Sequence, residues 1–113
     1  MHELAIAEGV LEIVEATARR NAAKRVATVW LELGALSHVE ARALAFCFDA
    51  VTRGSLAEGA TLEIVTLSGE GWCMPCGARV PLQRHGDPCP RCGSFQLEVV
   101  RGEEMRVKEI AIA

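Results

Sequence analysis

Cys73-Met74-Pro75-Cys76-Gly77 and Cys89-Pro90-Arg91-Cys92-Gly93 set four thiols in two matched pairs, C-x2-C-x12-C-x2-C, a pattern suited to capturing one tetrahedral metal ion. The spacing is slightly tighter than the common four-cysteine zinc template. Two residues between cysteines let both sulfurs face one concavity. A glycine after each pair can take positive φ, so that backbone N–H groups turn toward the thiolates. Paired disulfides are the competing reading, but five cysteines make an odd count and no secretory signal opens the sequence, so reduced thiols and a cytoplasmic location are expected. Four thiolates fill the coordination sphere and leave no position for water or substrate. The expected ion is therefore structural Zn(II), held by Cys73, Cys76, Cys89 and Cys92.

Energetics point the same way. From Gly69 to Glu98 the larger apolar side chains are only Trp72, Met74, Val80, Leu82, Phe95 and Leu97. So small a core needs a staple, and structural zinc supplies an apparent binding free energy of about 10 to 16 kcal/mol in small peptides.

The second chemical feature is the start, Met1-His2-Glu3. An α-amine, an ionised backbone amide nitrogen and the His2 imidazole can occupy three corners of a square, a geometry suited to Ni(II) or Cu(II). Glu3, another backbone nitrogen or a donor from elsewhere can supply the fourth. On the residues alone, a solvated terminal histidine is the competing reading. His38 reads as a surface or capping residue in the first turn of a helix, and His85 as part of a solvated loop that could lend a spare ligand. Cys47, between Phe46 and Phe48, reads as core packing. Glu8, Glu12 and Glu15 read as a solvated helix face.

The elements that must position these groups follow from periodicity. Ala7, Val10, Leu11, Val14 and Ala18 recur at helical spacing from Leu4 to Arg20, with acidic residues early and Arg19, Arg20 and Lys24 late, as the helix dipole favours. Val26 to Leu33 alternates as a strand, with Ala27, Val29, Leu31 and Leu33 on one face, and Gly34 stops it. Ser37-His38-Val39-Glu40 matches a capping box opening a second helix whose stripe is Val39, Ala43, Leu44, Cys47, Ala50 and Val51. Thr61 to Leu67 and Met105 to Ile112 read as strands. The fold class expected is α+β: two helices on a small mixed β-sheet, with an inserted four-cysteine zinc-ribbon-like lobe. The domains expected are a body from 1–68 plus 103–113 and a zinc-binding lobe from 69–102, with Gly69, Gly71 and Gly102 as joints.

Composition narrows the function. A net charge of −3 argues against a general nucleic-acid binder. Within the cysteine segment Arg79, Arg84 and Arg91 are offset by Glu70, Asp87 and Glu98. No apolar run is long enough to span a bilayer. The sequence has no Ser/Cys-His constellation, phosphate-cradling glycine loop or open metal site, so an enzyme is not expected. A zinc-ribbon adaptor or nucleic-acid module without nickel delivery is the alternative class.

Met1-His2-Glu3-Leu4, Leu31-Glu32-Leu33-Gly34, Phe46-Cys47-Phe48-Asp49, Gly59-Ala60-Thr61-Leu62-Glu63-Ile64 and the two cysteine knuckles together resemble the HypA/HybF hydrogenase maturation family over essentially the whole chain. The resemblance implies a nickel metallochaperone that delivers Ni(II), as transient cargo, to the large subunit of [NiFe] hydrogenase with the GTPase HypB. It implies His2 as the nickel ligand, with the Met1 nitrogen and Glu3 in support, and the four cysteines as the zinc site. Weak homo-oligomerisation is a further implication. Because amine, amide and imidazole shed protons to bind, acidification is expected to weaken nickel binding.

Overall fold

The computed structural model describes residues 2–113, so the Met1 ligand expected above lies outside the described residues. The element order is α1 (His2–Arg20), β1 (Val26–Gly34), α2 (Ala41–Val51), β2 (Thr61–Leu67), β3 (Gly69–Cys73), β4 (Ala78–Leu82), β5 (Leu97–Arg101) and β6 (Met105–Ile112). The strands form two three-stranded sheets, ordered β2-β1-β6 and β4-β3-β5. In the first, Ala113 N–H donates to Arg25 O and Gly34 N–H to Glu104 O, which runs β6 antiparallel to β1. At the other edge Val26 N–H donates to Leu56 O, just before β2, and Ala35 N–H to Leu67 O, at its end, so β2 is parallel to β1. The sheet is thus mixed, and α2 is the helical crossover that a parallel pair requires. Two helices with mixed sheet and a four-cysteine lobe match the fold class read from the sequence.

The chain divides into two compact units, one of residues up to 31, 39–65 and 106–113, the other of 32–38 and 66–105. The first is built on the helical stripe. Ala7, Val10, Val14 and Ala18 of α1 are buried with Val26, Val29 and Leu31 of β1 and Leu44, Cys47 and Phe48 of α2. Ala27 is exposed, and Val26 takes its expected place in the core. On α2, Phe48 is buried where the expected stripe had Ala50, and Phe46 is 78% exposed. Thr52 closes α2: it is buried, and its hydroxyl donates to Phe48 O at 2.8 Å. Phe48 is the largest fully buried side chain, so Phe48→Ala is expected to cost about 3–5 kcal/mol in chemical denaturation followed by helical circular dichroism. A loss under 1 kcal/mol would contradict this core.

The start of α2 corrects the capping-box expectation. Glu40, not Ser37, is the N-cap: its backbone is extended and its carboxylate accepts from Ala43 N–H at 2.6 Å. The reason is His38, whose φ of 63° is left-handed and stops any helix from passing through it. His38 therefore lies in the connection before α2 rather than in its first turn.

In the second unit β3 pairs antiparallel with both β4 and β5, with a bulge at Glu70 and Gly71. Three strands thus occupy a segment read as two knuckles. Gly69 and Gly71, expected as joints, lie inside β3. A Cβ at Gly69 would come within 2.4 Å of Leu82 O, so glycine there permits close strand approach. Gly102 does turn the chain, at φ 112°, and its N–H donates to the Glu104 carboxylate at 2.5 Å. Backbone N–H groups of Glu104 and Gly102 hold that carboxyl below its ordinary range. A depressed carboxyl stabilises the fold above its unfolded pKa of about 4.3, and that contribution disappears as pH falls through the lower folded value. Glu104→Gln should accordingly flatten the acid limb of the lobe's unfolding curve below about pH 4.3. An unchanged acid limb would argue against the contact.

Candidate metal centre

Cys73 ends β3 and Ala78 begins β4, so the first knuckle is the hairpin turn between them. Gly77, at φ 60°, donates its N–H to Cys73 O at 2.8 Å. The second knuckle repeats the device: Gly93, at φ 76°, donates to Cys89 O at 2.8 Å. Both turns require the left-handed conformation that glycine adopts without steric cost. Met74 N–H to Gln96 O, at 3.0 Å, ties the first knuckle to the chain entering β5.

These turns bring the four sulfurs together. The Sγ atoms of Cys73 and Cys92 are 3.5 Å apart, those of Cys76 and Cys89 3.9 Å, and all four lie within 4.8 Å of one another. A tetrahedron with metal–sulfur bonds of about 2.3 Å has edges of about 3.8 Å, so the donor set fits such an ion with little movement. All five cysteines are free thiols. Among the described residues this is the one group of three or more histidine, cysteine and acidic side chains placed to hold a metal. Cys73 and Cys89 are buried, Cys76 is half-buried and Cys92 exposed, with Val80 and Leu97 packed beside them.

The electrostatics show what the cluster lacks without a cation. Burial pushes the Cys73 thiol up. Hydrogen bonding with the thiols of Cys92 and Cys73, together with burial, pushes Cys76 up to about 12. Burial also pushes on Cys89, but N–H groups of Cys92 and Arg91 outweigh it and bring that thiol down to about 6. Arg91 N–H to Cys89 Sγ, at 3.4 Å, is one of these bonds. Cys73 and Cys76 thus resist ionising in this cluster, and a dication is the compensating charge that lets them bind as thiolates.

At the amino terminus, His2 and Glu3 occupy the first turn of α1. His2 is 58% exposed at its side chain, and its Nε2 lies 3.2 Å from Glu3 Oε2. The same carboxylate oxygen accepts from Glu40 N–H at 3.4 Å, which anchors Glu3 to the N-cap of α2. The His2 and Glu3 amides lie in the first turn of α1, among the leading N–H groups of a helix that have no acceptor within it.

Cys47 lies in the core. His38 and His85 are not isolated: their rings stack at 5.0 Å. No spacing rule signals that meeting, because the two come from separate connections.

The whole chain has known relatives. Residues 1–112 match the family model described as hydrogenase/urease nickel incorporation, metallochaperone, hypA. The hydrogenase maturation factor HypA of Albidiferax ferrireducens is 54% identical over 112 residues, covering 99% of both chains. That of Dechloromonas aromatica is 56% identical with the same coverage. Two solution structures share the fold: the Ni metallochaperone HypA from Helicobacter pylori, with a TM-score of 0.71 at 23% identity over 97% of this chain and 96% of that one, and a second HypA protein at 0.73 and 24%, over 100% and 97%. The chain belongs to the HypA family of nickel-incorporation factors for hydrogenase maturation, whose members are metallochaperones rather than enzymes.

Proposed function

We propose that this chain binds Ni(II) at its amino terminus through His2, with the Met1 amine and Glu3 in support, and hands it to the large subunit of [NiFe] hydrogenase with the GTPase HypB, while Cys73, Cys76, Cys89 and Cys92 hold a structural Zn(II). The observation that carries the nickel half is the His2–Glu3 contact of 3.2 Å. A carboxylate on Nε2 favours the tautomer protonated there and leaves the lone pair on Nδ1. Nδ1 is the nitrogen nearer the main chain, able to close a chelate ring with the residue's own amide. That amide is unclaimed by the helix. An exposed ligand set of this kind selects an ion by geometry and releases it without dismantling a core.

The zinc half rests on four sulfurs at tetrahedral separations, with no fifth donor needed. Thiolate ligands persist in a reducing compartment, which supports a cytoplasmic site of action. The family description, hydrogenase/urease nickel incorporation, supports a hydrogenase recipient, while the HypB partnership is carried by the family resemblance of the sequence motifs.

A maturation assay separates delivery from simple docking. In cells lacking their own HypA factor, the wild-type chain should restore nickel-loaded hydrogenase and His2→Ala should not, at equal protein level. Full maturation with His2→Ala, alongside failure of a Cys76→Ala variant, would make the protein a zinc-lobe adaptor instead.

A further inference from the structure

Among the four cysteines of the two knuckles, only Cys92 is exposed: Cys76 is half-buried, and Cys73 and Cys89 are 0% and 2% exposed. The Cys89 sulfur is further shielded by the Arg91 N–H that it accepts at 3.4 Å. Coordination keeps a thiol deprotonated, so a loaded site presents Cys92 to solvent as a thiolate. Thiolate character and exposure together decide which cysteine an oxidant reaches first.

The second participant stands behind it. Cys73 Sγ lies 3.5 Å from Cys92 Sγ, against 3.9 Å between Cys76 and Cys89. The first pair needs to close by only about 1.5 Å to reach a disulfide bond length of about 2.05 Å. Cys73 is fixed in place: it ends the central strand β3, paired with Ala78 of β4 on one side and Leu97 of β5 on the other. Cys92 belongs to the second knuckle, closed by Cys89 N–H to Ser94 O and Gly93 N–H to Cys89 O, both at 2.8 Å. A Cys73–Cys92 bond therefore joins the two knuckles through the middle strand of the sheet. Disulfides within each C-x2-C pair leave the knuckles unconnected.

We propose that Cys92 is a site of peroxide oxidation, resolved by Cys73 into a disulfide that expels zinc and replaces it as the staple of the lobe. The Cys92 thiolate attacks one oxygen of hydrogen peroxide. The O–O bond breaks, the S–O bond of a sulfenic acid forms, and the departing hydroxide takes a proton to become water. The Cys73 thiolate then attacks the sulfenic sulfur. The S–O bond breaks, the S–S bond forms, and the second hydroxide leaves as water. Two thiolates thus lose two electrons, while one peroxide and two protons become two waters. With two of its four ligands consumed, the zinc passes to competing ligands. The new bond closes a loop between β3 and the second knuckle and so restricts the unfolded chain, which keeps β3, β4 and β5 paired. Disulfides in a reducing compartment are characteristically transient and redox-sensing, and a thiol reductant reverses this one. The inference rests on the zinc reading of the four cysteines.

The test treats full-length, zinc-loaded protein with hydrogen peroxide and follows zinc by a chromogenic chelator, cysteine pairing by mass spectrometry of unreduced peptides, and the Trp72 indole by NMR. Zinc should fall from one per chain to near none as a Cys73–Cys92 cross-link appears in equal amount, with Trp72 still in its folded position. Dimedone, which traps sulfenic acids, should label Cys92 and suppress the cross-link, while buried Cys47 stays a free thiol. Reductant with added zinc should restore the starting state. Zinc and thiols retained under peroxide that oxidises glutathione in a parallel tube would overturn the proposal. So would cross-links confined to Cys73–Cys76 and Cys89–Cys92, or an unfolded Trp72 signal once zinc has left. Protein that holds no zinc before peroxide is added would instead remove the zinc assignment, and the switch with it.

Discussion

Cys76→Ala is expected to release the metal and unfold the lobe of β3, β4 and β5 while the first unit keeps its helices. The buried core around the sulfurs is Cys73, Val80 and Cys89, with Cys76 and Leu97 beside them, so three of its five members are themselves ligands. Removing one sulfur leaves the others with a poorer site and the strands with little apolar burial beyond Val80, Leu82 and Leu97 to hold them. An ion contributing an apparent binding free energy of roughly 10 to 16 kcal/mol is comparable to the whole stability of an ordinary domain, about 5 to 15 kcal/mol. Elemental analysis should therefore fall from one zinc per chain to near none, and the Trp72 indole signal should move to its unfolded position. The core of Phe48, Leu44 and Val10 lies in the other unit, so helical circular dichroism should persist. A Cys76→Ala protein that keeps one tightly held zinc and a folded Trp72 environment would contradict the assignment.

His2→Ala is expected to have the largest effect on nickel. It removes the imidazole that closes the chelate, so affinity should fall by more than the about 10- to 100-fold that loss of an outer-shell partner costs. Glu3→Gln provides the graded comparison. Its carboxylate touches His2 Nε2 at 3.2 Å and Glu40 N–H at 3.4 Å, so it acts through the orientation and tautomer of His2. That variant should lose nickel affinity within the outer-shell range and leave zinc content unchanged. Equal losses in the two variants would make Glu3 a direct ligand of comparable weight.

The helix α1 was legible because four buried residues recur at helical spacing on an otherwise charged segment. The cysteine cluster was legible for a different reason: metal coordination fixes ligand spacing along the chain, so chemistry is written into local sequence. Strands β3, β4 and β5 were not legible, since each has five residues, two of those in β3 are glycine, and their order depends on the cysteine turns rather than on strand propensity. The start of α2 misled because Ser37 and Glu40 have capping-box spacing. The left-handed His38 between them is a conformational fact that no propensity encodes. The His2 role was only half legible. Its residues permit chelation, and the family resemblance was needed to prefer that over a solvated terminus. The His38–His85 stack lay beyond any local rule, because it forms where two distant connections meet.

Ni(II) titration of zinc-loaded protein with an unblocked Met1 amine, run beside His2→Ala, tests the delivery mechanism most directly. Tight capture of one nickel by the wild-type chain, with the absorption of a square-planar nitrogen-rich complex that disappears in His2→Ala, is the expected result. Nickel capture that is unaffected by His2→Ala, or no capture at all with the amine free, would contradict it.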